Sequence, residues 1–320
     1  MTEIVSKTMF LPDSLVPHTP ASLPQKAVAW IASAFGKGAR VEVRETLGAR
    51  STIMHAVDVI DDAGNVLELA IRRFHDAARL KEDKGYQPRH EANVLEFLAS
   101  TTVPAPELIA LDSTGEHCDV PALLTTRLKG ETVTPPGAPQ HFVAELVDAL
   151  VNIHGLKWNS SIALPAYESY FDQCDGHCER RPPRWSANPA LWERVFEVLD
   201  SPPPTTSTGF IHRDYHPAQT LFEGSRLTGI CDWLTACDGP HGIDLARMRI
   251  NLAEGWNLEL ADEFRRTYQS VAGEDRVHPY WDLLDSADVL LGLPDRGPEQ
   301  VLPGHRRFEQ WVERAMADLA

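Results

Sequence analysis

Apolar and polar residues alternate with a period of two in three segments of the first quarter of the chain. The segments are residues 40–45, 54–60 and 66–74, and a short turn-forming run separates the last two. A period of two predicts β-strands, and the short connections predict antiparallel pairing between neighbours. Two further apolar runs, residues 103–111 and 122–130, predict strands that close the same sheet.

A second pattern, with apolar residues three to four positions apart, predicts helices. One helix is predicted before the strands at residues 21–35 and another after them at residues 90–99. The same spacing dominates the later part of the chain and predicts helices at residues 142–154, 191–199 and 261–271. A sheet followed by a largely helical part predicts an α+β fold, and a length of 320 residues favours two domains.

The segment that follows residue 211 contains the most specific candidate chemistry. Asp214 is followed five residues later by the side-chain amide of Gln219, and Asp232 comes after a hairpin predicted around residues 223–225. The hairpin would bring Gln219 and Asp232 together. Either aspartate alone would fit an ordinary loop, but this combined spacing is typical of phosphoryl-transfer centres. In such centres the first Asp takes or orients the proton of the attacking hydroxyl, and the other two groups hold Mg²⁺ against the nucleotide phosphates.

These motifs resemble those of the aminoglycoside phosphotransferase and choline kinase-like family. Members of that family carry a loop of the form H-x-D-x-H-P-x-N, a D-W pair and a later G-x-x-x-x-D-L-A run. The matching residues in this chain are His212, Asp214, His216, Pro217, Asp232, Trp233, Gly239, Asp244, Leu245 and Ala246.

The resemblance implies a bilobal protein-kinase-like fold with ATP or GTP in the cleft between the lobes. The small antiparallel-sheet N-lobe would comprise residues 1–127, and the larger, mostly helical C-lobe residues 128–320. The resemblance also implies that Asp214 is the catalytic base and that Asp232 is a metal ligand.

One position departs from the family pattern, since the family's Asn is Gln219 in this chain. Gln keeps the amide oxygen but carries it one methylene further from the backbone, which would shift one metal ion. Retention of Asp214, Asp232 and Arg72 favours an enzyme that moves the γ-phosphoryl group of ATP or GTP onto a hydroxyl of a small molecule. The alternative is a pseudokinase that binds nucleotide without turnover.

The third predicted strand supplies a candidate for the phosphate-binding cation. Arg72 occupies the place of the lysine in the kinase V-A-I-K string and would neutralise the α- and β-phosphates. Because side chains alternate along a strand, only one of Arg72 and Arg73 can face the cleft. Glu91, which opens the following helix, is expected to hold Arg72 extended; the alternative is an exposed first-turn acid favoured by the helix dipole.

Two other segments are predicted to contact the nucleotide. Ser51 follows a glycine-containing turn and would bind the β- or γ-phosphate, with a plain hairpin turn as the alternative. Main-chain groups from Thr126 to Leu128 resemble the family's hinge and would meet the adenine edge.

The amino-acid composition limits which classes of partner and which cellular compartment we expect. A net charge of −16, from 46 acidic and 30 basic residues, argues against a nucleic-acid partner. The same charge suits a cationic acceptor, but it equally suits a protein that is acidic only for dispersal. The chain has no run of eighteen apolar residues and no signal-peptide pattern at its start, so we expect a cytoplasmic protein that does not span a membrane.

The five cysteines form an odd, scattered set that fits a reducing compartment. Cys174 and Cys178, with His177 between them, present a possible zinc site. No second Cys or His pair follows nearby, so reduced thiols on a loop or helix surface are favoured.

For the acceptor, the resemblance implies an aminoglycoside-like or macrolide-like antibiotic or another hydroxylated metabolite, and hence a role in antibiotic resistance or in metabolism. Asp238, Glu254 and Asp262 are candidates to face a cationic acceptor. The alternative for each is a solvated position on a helix or loop.

Overall fold

A five-stranded sheet forms the first part of the molecule. The computed structural model describes residues 22–319 except 37, 50–51, 84–85, 136, 174–179, 274–275 and 294–296. The strands of the sheet are β1 (Arg40–Ala49), β2 (Ile53–Ile60), β3 (Val66–Arg73), β4 (Leu108–Asp112) and β5 (Ala122–Thr126). They lie in the order β1-β2-β3-β5-β4, and every adjacent pair is antiparallel.

Each face of this sheet is covered by a different apolar cluster, because successive side chains of a strand point to opposite faces. Helix α1 (Gln25–Ser33) covers one face, where Trp30 and Ile31 pack with Leu124 of β5. The neighbouring Leu123 belongs to the larger cluster, which includes the buried side of α3 (Pro88–Leu98). A short helix, α2 (Ala77–Glu82), precedes α3.

The second part of the molecule is mainly helical and contains most of the larger core. Its helices are α4 (Phe142–Gly155), α5 (Tyr170–Gln173), α6 (Pro189–Leu199), α7 (His241–Gly255), α8 (Leu258–Ala272), α9 (Pro279–Gly292) and α10 (Pro303–Leu319). Two short antiparallel pairs lie among them: β6 (Thr208–Ile211) with β9 (Cys237–Pro240), and β7 (Thr220–Glu223) with β8 (Arg226–Ile230).

Helices α7 and α9 approach each other closely because α7 carries a glycine at their contact. A Cβ atom at Gly242 would overlap the indole ring of Trp281 on α9. The close contact places the following turns of the two helices side by side, so that Arg247 meets Asp285.

The predicted α+β class is confirmed, and the observed strands and helices differ from the predicted ones mainly at their ends. β4 begins at Leu108, later than predicted, because prolines at 104 and 106 have no N–H to donate to a neighbouring strand. β5 ends at Thr126 because the chain then leaves the sheet, and Glu131 pairs with Phe222 of β7. The pattern did not predict α7, α9 or α10. The division of the chain at residue 127 stays a prediction.

Within the described residues, the structure contains no helix that is both long enough and apolar enough to cross a membrane.

Candidate active site

The loop that carries Asp214 is held by a carboxylate from helix α7. Asp244 accepts hydrogen bonds from the backbone N–H groups of His212 (2.8 Å) and Arg213 (2.6 Å). Arg213 has a φ of 71°, a left-handed conformation that is uncommon for a residue other than glycine. The His212 ring donates from Nε2 to the carbonyl of Cys231 (2.8 Å) and accepts from the N–H of Asp214 (3.2 Å). The loop therefore has a defined shape at the residue before Asp214.

Asp244 is itself fixed by buried neighbours. His154 lies with Nε2 3.1 Å from the Asp244 carboxylate and with Nδ1 2.6 Å from the hydroxyl of Tyr268. Burial lowers the pKa of His154, although the nearby carboxylate opposes this shift. A neutral His154 that donates through Nε2 and accepts through Nδ1 satisfies both contacts. Asp244, the first residue of the D-L-A run, thus holds the loop of residues 212–219, the candidate catalytic loop.

The hairpin of β7 and β8 brings Gln219 and Asp232 together beside Asp214. Gln219 is the last residue of a turn of 3-10 helix that starts at Pro217, and its carbonyl accepts from the N–H of Cys231 (2.8 Å) across the hairpin. Its side-chain Nε2 donates to Asp214 and to Asp232, at 3.2 Å in each case. One amide therefore joins the two carboxylates.

The surroundings of Asp214 favour its ionised form. Burial by itself would raise the pKa of this carboxyl group, but the charges and hydrogen bond of His216 and the charge of Arg247 outweigh it, and the pKa lies well below its usual range. His216 Nε2 lies 3.4 Å from Oδ2, and Arg247 Nε lies 3.7 Å from Oδ1. Asp214 is therefore a carboxylate at neutral pH that can accept a hydrogen bond from an alcohol.

Arg72 reaches this cluster from the sheet. Its NH1 group lies 2.6 Å from Asp232 and 3.5 Å from Glu91, so it is nearer to Asp232 than to the predicted partner. Arg72 and Glu91 are both buried, and burial raises the pKa of Glu91 to about 7 even though Arg72 opposes the shift. Arg73 points to the other face of β3 and pairs with Asp119, which agrees with the alternation of side chains.

Of the remaining predicted nucleotide contacts, Thr126 is the last residue of β5, and Leu128 follows it two residues later. The backbone N–H of Thr126 donates to the carbonyl of Glu107, and that of Arg127 donates to the carbonyl of Glu68. Both donors are therefore used within the sheet, and a contact with an adenine edge would fall to carbonyl groups and to Leu128. Ser51 lies outside the described residues.

A cavity of about 1020 Å³ opens beside Asp214 in the helical part of the molecule. Residues 132–135 and the catalytic loop form part of its wall, and α7 and α9 form much of the rest. The charged side chains that line it are Arg213, Asp214, Arg247, Glu254, Asp285, Asp288 and Arg307. A cavity of this size is within the range of small-molecule sites.

Several polar atoms of this cavity are buried without a hydrogen-bond partner in the described part of the chain. They are Oε1 of Glu254, Oδ2 of Asp285, the hydroxyl of Tyr167 and Nε of Arg247. Burial raises the pKa of Glu254 well above its usual range and that of Asp285 to about 7, while Arg247 opposes both shifts. Unpaired buried polar atoms are costly, so these groups are suited to bind a polar ligand.

The sequence profile of the phosphotransferase enzyme family (APH) matches residues 55–280. The chain belongs to this family. Among curated proteins, the APH chain is 28% identical over 219 residues to a homoserine kinase of Rhodospirillum rubrum. That match covers 64% of this chain and 64% of the relative, so the chain spans less than two thirds of that kinase's length.

Solved structures of antibiotic phosphotransferases share the fold of this APH chain. Macrolide 2'-phosphotransferase MphH from Brachybacterium faecium superposes with a TM-score of 0.57 at 17% identity, covering 92% of this chain and 98% of that one. A thermostable mutant of aminoglycoside phosphotransferase APH(4)-Ia, in a ternary complex with ADP and hygromycin B, gives a TM-score of 0.56 at 16% identity with the same coverage. The bilobal protein-kinase-like fold expected from the resemblance is confirmed.

In this APH chain, some cavity residues were predicted and others were missed. Of the three acids considered for a cationic acceptor, only Glu254 lines the cavity, because Asp238 is exposed and Asp262 pairs with Arg314. The prediction missed Arg247 and the α9 acids. A usable signal was present, since Asp285 and Asp288 are three residues apart on a largely apolar helix and so lie on one side of it.

The magnesium ligands Gln219 and Asp232 stay a prediction. Within the described residues, no group of three or more His, Cys, Asp or Glu side chains is arranged to hold a metal ion. The possible zinc ligands Cys174, His177 and Cys178 lie outside the described residues.

Proposed function

We propose that this chain transfers the γ-phosphoryl group of ATP or GTP to a hydroxyl group of a small molecule. The observation that carries the proposal is the convergence of Gln219, Asp232 and Arg72 beside Asp214, which lines the cavity. Membership of the phosphotransferase enzyme family supports it. In this proposal residues 1–127 bind the nucleotide and residues 128–320 bind the acceptor.

Asp214 would accept the proton of the acceptor hydroxyl. Its low pKa makes it a weak base, so its main contribution would be to orient the hydroxyl and to take the proton late in the transfer. Little covalent chemistry is required of the protein in phosphoryl transfer, which depends on position and charge.

The residues beside Asp214 fit a magnesium ion. Asp232 offers a carboxylate that is about one third exposed (35%), and Gln219 offers an amide oxygen next to it. Mg²⁺ prefers oxygen ligands, and in kinases it completes its shell with phosphates and water, so a pair of protein ligands is sufficient. When bound, the ion would neutralise charge on the phosphates. Gln219 now donates its NH₂ group to both carboxylates, so ligation would require the amide to turn its oxygen toward the ion.

The remaining nucleotide contacts are proposed from their positions in the fold. Arg72 would pair with the phosphates, supported by Glu91 at 3.5 Å. Leu128 and the carbonyl of Thr126 would meet the base, and Ser51 would bind a terminal phosphate. Arg72 would have to exchange Asp232 for phosphate oxygens, which carry more charge than one carboxylate.

The acceptor is proposed to be an alcohol that also carries a positively charged amine. The free oxygens of Glu254 and Asp285 in the cavity support this class, since a buried carboxylate is stabilised by a paired cation. The curated relative is a homoserine kinase, and the structural relative APH(4)-Ia was solved with hygromycin B. These names make an amino acid and an aminoglycoside the first two acceptors to test.

A transfer assay with MgATP and MgGTP tests the proposal. The acceptors are L-homoserine, choline, an aminoglycoside, a macrolide and glucose, and mass spectrometry detects the phosphorylated product. We expect transfer to at least one amine-bearing alcohol and none to glucose. Asp214→Asn should lower the rate by about 10²–10⁴-fold and leave nucleotide-induced thermal stabilisation intact, whereas Asp238→Asn, an exposed acid, should behave as wild type.

Other outcomes separate the alternatives. Stabilisation by nucleotide without transfer to any acceptor would favour the pseudokinase. Absence of stabilisation by either nucleotide would reject the nucleotide site itself, and full turnover in Asp214→Asn would reject Asp214 as the base.

A further inference from the structure

Arg247 lies between the candidate catalytic carboxylate and the α9 wall of the cavity. Its NH2 group is 2.8 Å from Oδ1 of Asp285, and its Nε is 3.7 Å from Oδ1 of Asp214. The side chain is largely buried, and its Nε has no hydrogen-bond partner among the described residues. One guanidinium group therefore spans two carboxylates that come from different parts of the chain.

Arg247 lies on the same helix as Asp244, which holds the loop that carries Asp214. Arg247 follows Asp244 by three residues, and residues three apart lie on the same side of a helix. Asp244 holds the backbone of the catalytic loop at His212 and Arg213. The same helix thus contacts the loop twice, once at its backbone through Asp244 and once at the Asp214 side chain through Arg247.

The charges around Arg247 show why a cation is needed at this point. Four carboxyl groups line the cavity there: Asp214, Glu254, Asp285 and Asp288. Two other arginines line the cavity: Arg213 donates to the carbonyl of Glu168 (2.6 Å), and the charge of Arg307 acts on Glu254. Burial raises the pKa of all four carboxyl groups, and the positive charge of Arg247 opposes that rise in each of them.

We propose that Arg247 is a positioning residue for phosphoryl transfer, an inference that rests on the proposed function. Arg247 sets the orientation of the Asp214 carboxylate relative to the α9 wall of the cavity, because the guanidinium joins Asp214 to Asp285. A guanidinium suits this task because its donors diverge within one plane and reach two carboxylates, whereas a lysine ammonium is a single point charge. Among the described residues, Arg247 forms no ion pair with Asp232 or Glu91, the two carboxylates that contact Arg72, so nucleotide binding should not depend on it.

The test compares Arg247→Lys, Arg247→Gln, Asp285→Asn and the double variant Arg247→Gln/Asp285→Asn, with L-homoserine and MgATP as substrates. A matched control is Arg249→Lys, since Arg249 is a buried arginine on the same helix that pairs with Asp282 away from the cavity. We expect kcat to fall about 10²-fold in Arg247→Lys, since a displacement of about 1 Å can cost that much. KM for MgATP should stay unchanged, and Arg249→Lys should keep the wild-type kcat.

Two readouts separate positioning from a role in stability alone. At saturating L-homoserine, kcat of the double variant should be no lower than that of Arg247→Gln, because both changes break the same link. KM for L-homoserine is measured separately, since Asp285 is also proposed to bind the acceptor. In ¹³C-labelled protein, the carboxyl signals of Asp214 and Asp285 should shift in Arg247→Lys and stay in place in Arg249→Lys. Wild-type kcat in the folded Arg247 variants, or additive losses in the double variant, would overturn the inference.

If the wild-type protein phosphorylates no acceptor, the proposed function fails, and the carboxyl signals then decide the inference about Arg247. Unshifted signals in Arg247→Lys would reject the link between the two carboxylates. If Arg247→Gln does not fold, Arg247→Lys and Asp285→Asn still carry the comparison.

Discussion

Replacing Asp244 by Asn should damage both stability and catalysis, because this carboxylate holds the catalytic loop from α7. It is fully buried and receives hydrogen bonds from His212 N–H (2.8 Å), Arg213 N–H (2.6 Å) and His154 (3.1 Å). An Asn side chain has one acceptor oxygen and places an NH₂ group against one of the two backbone donors. At least one charge-assisted hydrogen bond is lost, worth about 1.5–3 kcal/mol, and an opposed donor is left buried at about 1–3 kcal/mol.

The expected loss of unfolding free energy is therefore about 2.5–6 kcal/mol, measured by urea unfolding with and without the substitution. Because Arg213 directly precedes Asp214, a shift of the loop by about 1 Å should also reduce kcat about 10²-fold in the fraction that remains folded. Asp238→Asn is the control, since it removes one acid from an exposed position on the neighbouring strand. If Asp244→Asn lowers the unfolding free energy by less than about 1 kcal/mol and keeps the wild-type kcat, the role assigned to Asp244 is refuted.

Three further predictions test the site. Asp232→Ala should weaken nucleotide binding mainly when Mg²⁺ is present, because the carboxylate would neutralise an ion that bridges the phosphates. Nucleotide titrations with and without Mg²⁺ measure this effect. If the variant keeps the Mg²⁺ dependence of the wild type, Asp232 is not part of the metal site. Gln219→Asn should raise the transfer rate or move the preference from Mn²⁺ toward Mg²⁺, because Mg²⁺ needs near-octahedral geometry with ligand distances of about 2.0–2.1 Å. The transfer rate is measured with each metal. A lower rate with both metals would show that the loop is adapted to Gln219, whose side chain contacts both carboxylates. Glu254→Gln should reduce the pH dependence of stability: the raised pKa means that the folded state binds the proton more tightly, so stability falls as pH rises above the ordinary value of 4.5. Urea unfolding from pH 5 to 8 measures the slope, and identical slopes in the variant and wild type would contradict the assignment.

The local pattern of apolar and polar residues was sufficient to predict the sheet, and the spacing of three polar residues was sufficient to predict part of the site. The alternation in residues 54–60 and 66–74 predicted β2 and β3, because apolar residues at every second position (Val57 and Val59, Leu69 and Ile71) share the cluster that packs against α1. The spacing of Asp214, Gln219 and Asp232 predicted a shared position, because a hairpin needs only local hydrogen bonds to bring its ends together. The roles of these residues stay predictions that the variants above test.

The wall of the cavity could not be predicted in the same way. Asp285 has the local signature of an acid on a buried helix face, but its sequence does not reveal which helix it meets. That choice depends on the fit between Gly242 and Trp281, which places α7 against α9. The pairing of Arg72 with Asp232, 160 residues apart, and of Arg247 with Asp214 likewise depends on how the sheet and the helices pack.

The sequence by itself therefore determined the α+β class, most of the sheet and the order of groups along the catalytic loop. These features depend on period, turn residues and short hairpins, which act between near neighbours in the chain. Only the tertiary structure decided which charges share the cavity, that Arg72 contacts Asp232 more closely than Glu91, and that Arg247 joins two carboxylates. Those contacts depend on the packing of distant apolar faces, and the position of a charged side chain then follows from where its helix or strand is buried.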